Sequence, residues 1–324
     1  MQRFHQKNLI WLASAVVVYL LLQVLVQVGV INFYYESTFI NIMINIIFAV
    51  GLNLILGVAG QFSLGHAGFI AIGAYSAAII GKAVSGLAGL FAGMAVGVVI
   101  SIVIAYLVGL PTLRLKGDYL AIATLGVAEI IRVALNNMKI TNGAAGISGI
   151  PLTTTWTIVY IALVLTTILV LNYANSSAGR ATYAVLQDEI AAESMGVNVT
   201  RYKMLAFIIG AATASIGGTL TATYLGTVTP SDFTFMKSID VLIIVVFGGI
   251  GSFTGSFVAA ILLGIINTFL QPFGQLRMII YAVALILIMI FRPGGLLGTW
   301  EFRFGTFLSN KLNKKEKGET EWVY

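Results

Sequence analysis

The chain has 324 residues, 59% of them hydrophobic and only 9% charged, whereas soluble domains run near 45–50% apolar and about 25% charged. A water-soluble globular fold cannot hide that much apolar surface, so the composition excludes one. No cysteine is present, which excludes disulfides, thiolate nucleophiles and iron–sulfur clusters.

Six runs contain no Asp, Glu, Lys or Arg: Asn8–Tyr35, Ser37–Gly81, Ala83–Leu113, Ile140–Gly179, Met204–Ser231 and Val241–Leu276. Each reaches the roughly 20 residues needed to cross a hydrocarbon core, and several suffice for two crossings. Backbone polar groups in lipid must be bonded internally, and these runs do not alternate, so the spanning elements are helices. The expected fold is all-α: a polytopic transmembrane bundle of about ten crossings, some broken. They are placed near 9–31, 38–57, 65–82, 87–110, 119–136, 157–174, 203–226, 238–250, 254–271 and 276–291. The 238–250 segment is too short to cross alone as a regular helix.

At the N-terminus, Arg3 and Lys7 precede an apolar stretch running to about Ile31. That exceeds the roughly 7–15 apolar residues of a secretion signal and reads as a retained first span. The second and third spans meet in Asn53-Leu-Ile-Leu-Gly57-Val-Ala-Gly60-Gln61-Phe-Ser63-Leu-Gly65-His66. Amide, hydroxyl and imidazole groups at membrane depth are costly unless satisfied or functional, so Asn53, Gly60, Gln61, Ser63 and His66 are candidate substrate-pathway residues. Satisfying carbonyls freed by a helix break also accounts for Gln61, Ser63 and His66, and His66 lacks an acidic partner for a proton relay.

Farther along, Pro111 is expected to end a helix and Asp118 to cap the next. Glu129 and Arg132, three residues apart, can pair on one helix face near the outer boundary. The segment 141–151 is small, uncharged and rich in glycine, which suits a flexible gate, a docking surface or an ordinary loop. Residues 174–202 form a charged loop containing one expected amphipathic helix, Arg180–Gly196. Its apolar Val185, Ile190 and Met195 have no evident partner within the chain and ask for another protein.

A weak internal repeat then appears. Gly57-Val-Ala-Gly60-Gln-Phe62-Ser63-Leu-Gly65 parallels Gly248-Gly-Ile-Gly251-Ser-Phe253-Thr254-Gly255. Paired glycine-interrupted segments in the two halves point to a transporter's substrate path, adding Gly248, Gly251 and Thr254 to the candidates. Close helix packing is the competing account of such glycines.

With both termini inside, thirteen basic residues fall in inner loops and five outside: Lys82, Arg132, Lys139, Lys237 and Arg277. This places both termini in the cytoplasm and explains the net charge of +6 without nucleic acid. Residues 1–311 are then a transmembrane domain and 312–324 a charged cytoplasmic tail. The chain contains no phosphate-binding G-x-x-x-x-G-K-[S/T] loop and no H-E-x-x-H, and its only histidines are His5 and His66. No catalytic residue, cofactor or metal is expected, and any ATP that drives transport must be bound by another chain.

Taken in order, Gly51–Tyr75, Leu110–Arg132, Thr141–Pro151, Gly179–Lys203, Val246–Gly255 and Arg292–Gly298 resemble the permeases of high-affinity branched-chain amino-acid ABC importers. The likeness is to the longer of their two homologous permease subunits. It implies pairing with a homologous second permease, two cytoplasmic ATP-binding subunits and an extracytoplasmic substrate-binding protein. It also implies that Ala191-Ala192-x-x-x-Gly196 lies in a coupling helix whose ATPase-facing residues include Arg180, Val185 and Glu189. The sequence departs from the fuller coupling signature in having Ile190 where Glu would precede the alanines, and in lacking I-x-L-P downstream. Urea and short-chain amide importers use closely similar permeases, which leaves them as alternative substrates. An ion-coupled secondary transporter would need more ionisable groups at depth than Glu129, Arg132, Asp240 and His66 supply.

Overall fold

The computed structural model describes residues 33–115 and 117–270, with positions 17, 19, 20, 23, 273, 276, 279, 282, 283, 286, 290, 291 and 294–298. The expected 9–31 crossing and the 312–324 tail therefore lie outside the continuously described residues, and 276–291 is described only at scattered positions. Thr38–Trp300 is one compact unit, whereas Phe33–Ser37 at the start of the first helix belongs to another.

In chain order the helices are α1 (Phe33–Asn53), α2 (His66–Ala83), α3 (Leu87–Thr112), α4 (Asp118–Asn137) and α5 (Trp156–Asn175). They are followed by α6 (Ser177–Gln187), α7 (Glu189–Ser194), α8 (Val199–Leu225), α9 (Phe235–Gly248) and α10 (Phe253–Leu270). Among the described residues, five stretches are long and apolar enough to cross a membrane unaided: Tyr34–Val58, Leu87–Thr112, Trp156–Asn175, Val199–Leu225 and Phe253–Leu270. The sequence led to ten crossings. The expected 65–82, 119–136 and 238–250 segments are α2, α4 and α9, and α9 at 14 residues rises only about 21 Å.

The centre of the unit is α2 packed against α3 and α8. A Cβ added at Gly73 would lie 2.0 Å from the Ser215 carbonyl oxygen, one at Gly218 2.1 Å from that of Ile70, and one at Gly93 2.8 Å from the Ala77 Cα. Helices in lipid gain little from burying oil-like side chains against each other, so small residues that let backbones touch supply the packing. Thr219 Oγ1 donates to the Gly73 carbonyl at 3.1 Å across this contact.

Pro111 sits in the last turn of α3, one residue before the helix ends, as expected, whereas two other local expectations change. Asp118 is the first residue of α4, while Gly117, at φ +57°, holds the cap position with no side-chain bond. The 141–151 segment is pinned rather than loose. Ile147 and Ser148 form a two-residue antiparallel ladder with Val228 and Thr227, the Ile150 amide donates to the Gly226 carbonyl at 3.0 Å, and Asn142 Nδ2 donates to the Gly146 carbonyl at 3.0 Å.

Candidate functional site

Both glycine segments break their helices, and the breaks touch. After Asn53 the chain widens into a π-helical turn, Leu54–Val58, and then runs without regular structure to α2. Such wide turns concentrate at functional sites because they re-aim backbone groups. In the second half, α9 ends at Gly248 and α10 begins at Phe253, with Gly249 at φ +115° and Gly251 at φ +88° in between. Only glycine takes those angles without strain.

Asn53 ties the breaks together. Its Nδ2 donates to the Ser252 carbonyl at 2.8 Å and to Ser256 Oγ at 3.0 Å, and its Oδ1 accepts from the Gly251 amide at 2.9 Å. A buried amide so fully satisfied fixes one register between the segments. Contact there depends on the missing side chain of Gly57, where a Cβ would lie 2.3 Å from the Gly251 nitrogen. The end of α9 is completed by the 294–298 turn, whose Leu296 and Leu297 amides donate to the Phe247 and Gly248 carbonyls at 2.8 and 3.3 Å. Those carbonyls are ones a helix end leaves open.

Between the break and α2, Gln61, Ser63 and His66 are all buried. Ser63 Oγ accepts from the Gly65 amide at 3.3 Å. Among the described residues, neither polar atom of the Gln61 side chain has a hydrogen-bond partner, nor does His66 Nε2. The simple account in which these groups satisfy freed carbonyls therefore fails for the Gln61 side chain. The start of α2 is held instead by neighbouring helices: the Leu64 amide donates to Thr124 Oγ1 at 3.0 Å and the Ala67 amide to Ser238 Oγ at 2.9 Å. His66 meets the buried Phe48 ring edge-on at 6.4 Å, and Lys237 Nζ lies 5.5 Å from that ring's centroid. Lys237, expected outside, is thus turned toward the bundle. Thr254 is half-buried in the first turn of α10.

The 174–202 loop is two helices rather than one. Asp188 interrupts it, its Oδ1 accepting from the Ile190 and Ala191 amides at 2.9 and 3.0 Å as the N-cap of α7. Val185 and Ala192 are buried within their own chain, which corrects the expectation that Val185 lacks a partner. Arg180 donates to the Asn175 carbonyl at 3.2 Å, and Glu189 pairs with Lys203. What the loop leaves open is Ile190, 77% exposed, and Met195, 84% exposed, with Ala191 beside them and Gly196 at φ +82° with open space where a side chain would go. Next to Val185, Leu186 reaches the break: its Cδ1 is 2.6 Å from where a Cβ on Gly60 would stand.

The family model for the permease component of branched-chain amino acid transport systems matches residues 34–291. The chain belongs to this family. The permease is 39% identical over 227 residues to the high-affinity branched-chain amino acid transport permease protein LivM of Salmonella typhimurium, covering 59% of this chain and 53% of the relative. It is 31% identical over 145 residues to LivH of Escherichia coli, covering 44% and 46% of the two chains, and 34% over 132 residues to BraD of Pseudomonas aeruginosa, covering 40% and 43%. The matched region thus spans about half the length of these relatives. No solved structure matches. The chain is a multi-pass membrane protein of this family.

Sequence reading missed Thr124, Ser238, Ser252, Ser256 and Leu186. Thr124, Ser238, Ser256 and Leu186 are single inconspicuous residues in helices, Ser252 lies in the break before α10, and each has its partner at least 60 positions away in the sequence.

Proposed function

We propose that the permease is the membrane-spanning subunit of an ATP-binding-cassette importer that moves branched-chain amino acids inward by alternating access. It pairs with a homologous second permease and takes substrate from an extracytoplasmic binding protein. Two cytoplasmic ATPase subunits drive it, and both of its termini face the cytoplasm. Leucine, isoleucine and valine are the substrates that the relatives' names favour.

The observation that carries the mechanism is the packing of Leu186 on Gly60. An ATPase that draws the 174–202 loop toward the partner permease displaces α6. Leu186 passes that displacement to the Gly60 turn, and Asn53 passes it to the 249–252 break. The permease contributes two packings of one small region, and the ATPase biases which is occupied.

Docking falls to Ile190 and Met195, the apolar side chains that the loop holds outward. Ile190→Glu combined with Met195→Glu places two charges in a packed contact, each costing about 2–5 kcal/mol if buried unpaired. The ATPase should no longer co-purify, while the permease still inserts and pairs with its homologue. Retention of the ATPase at unaltered strength would reassign docking. Ala192→Glu serves as a contrast: Ala192 is buried in its own chain, so that variant should lose folded permease rather than only the ATPase.

A further inference from the structure

Glu129 and Arg132 sit on α4. Arg132 Nε donates to both Glu129 carboxylate oxygens at 3.0 Å, and Arg132 Nη2 also bonds Oε1. By helical rise, Glu129 stands about 16 Å from Asp118 and about 12 Å short of Asn137. Arg132 thus stands about 8 Å before the end of α4, and Glu129 one turn deeper along the helix. The opposite face of α4 is packed: Leu120, Ala121, Thr124, Ala128 and Ile131 are buried, and Thr124 and Ala128 abut Gly65 and Gly68 of the first break. The charged face is open, with the Glu129 side chain 44% and that of Arg132 27% exposed, beside exposed Ile122, Ile130 and Val133.

Lipid is a poor cover for that face. Charged side chains at membrane depth almost always face a bundle interior or a watery cavity. An arginine this near the end of a lipid-facing helix extends outward to the headgroups. Arg132 does the reverse, turning back along the helix to a carboxylate one turn deeper.

We propose that this pair is the recognition site for the zwitterionic head of an α-amino acid in the translocation path, a role that rests on the amino-acid import reading above. The substrate ammonium takes the Glu129 carboxylate, and its carboxylate takes the Arg132 guanidinium in a two-pronged bond. One internal pair is exchanged for two, leaving no charge uncompensated. Ile122, Ile130 and Val133 supply an apolar flank suited to a branched aliphatic side chain. A neutral urea or amide cannot open the pair, because it brings no opposite charges.

The test uses the assembled importer in liposomes, with leucine uptake, basal ATP hydrolysis and co-purification of the second permease as readouts. Arg132→Gln and Glu129→Gln should each lower uptake at subsaturating leucine by about 10- to 100-fold, the loss of one charge-assisted bond, with the other readouts unchanged. The double exchange Glu129→Arg with Arg132→Glu keeps an internal ion pair, and hence the fold, but reverses its polarity along the path, and it should also stop uptake. Uptake within about twofold of the unsubstituted importer in the double exchange would reduce the pair to an internal brace and overturn the proposal. So would loss of the second permease in the single variants, which would assign the pair to a subunit contact. If the unsubstituted importer takes up no leucine, the import reading fails together with this one; uptake by it that survives in the variants sinks the recognition site alone.

Discussion

Gly57→Ala should abolish leucine uptake while leaving the permease in the membrane. The added methyl would stand 2.3 Å from the Gly251 nitrogen, 2.4 Å from Asn53 Oδ1 and 2.5 Å from the Gly251 Cα. Two of these are backbone atoms, so the 249–252 segment must retreat by about 1 Å to reach ordinary contact, and the 2.9 Å bond from Gly251 to Asn53 breaks. Overpacking costs about 1–3 kcal/mol and the lost bond about 1 kcal/mol more. A few kcal/mol is enough to invert an equilibrium between two conformations. Expected results are an uptake loss of at least about tenfold and membrane abundance within about twofold, read by labelled leucine and immunoblot. Gly81→Ala is the matched control: it lies in α2, where the nearest atom to an added Cβ is Pro151 Cδ at an ordinary 3.9 Å, and alanine there favours the helix by about 1 kcal/mol. Normal uptake in Gly57→Ala would separate the two breaks functionally.

Gly218→Leu should fail earlier, at folding. A Cβ there lies 2.1 Å from the Ile70 carbonyl oxygen, and the adjacent Gly217 already faces the Phe48 ring, 2.4 Å from where its own Cβ would be. No rotamer of leucine relieves a clash made by the first carbon. Helices α2 and α8 must separate, and the contacts that hold Gly73 against Ser215 go with them. The cost exceeds the roughly 1–3 kcal/mol of ordinary overpacking, a large share of the roughly 5–15 kcal/mol that stabilises a folded domain. Size-exclusion chromatography in mild detergent should show little monodisperse permease. A profile like that of the unsubstituted permease would mean that the α2–α8 contact is dispensable.

These two glycines mark what the sequence exposes and what it conceals. Gly57 and Gly251 were legible as breaks because glycine interrupts an apolar helix visibly, and their parallel contexts suggested a repeat. Their contact was not legible: it is made by Asn53 and Ser252, 199 positions apart, and although Asn53 stands out as an amide at membrane depth, nothing in its segment names Ser252 as its partner. Val185 was assigned to an outward face on periodicity alone. The period gives the spacing of a helical face but not its neighbour, and α6 turned that face inward, carrying Leu186 onto a turn more than 120 residues earlier. Asp188 was visible as a charge in the loop, but its capping of α7 splits a pattern that reads as one helix. Hydropathy and length together marked the 238–250 segment as too short for a regular crossing, and α9, whose 14 residues end at Gly248, has that shortness. Glu129 and Arg132 were legible as a pair by spacing, but their exposure came only with the packing of α4.

The central claim, ATP-driven import of a branched-chain amino acid through this permease, is tested most directly by labelled leucine uptake into liposomes. These would hold the permease with its homologue, the ATPases and the binding protein, and would be assayed with and without ATP on the cytoplasmic face. The account predicts leucine accumulation that requires ATP and the binding protein, vanishes when the permease is omitted, is competed by isoleucine and valine, and is unaffected by collapsing the proton and sodium gradients. Accumulation that follows an ion gradient without ATP, or uptake of urea with none of leucine, would contradict it.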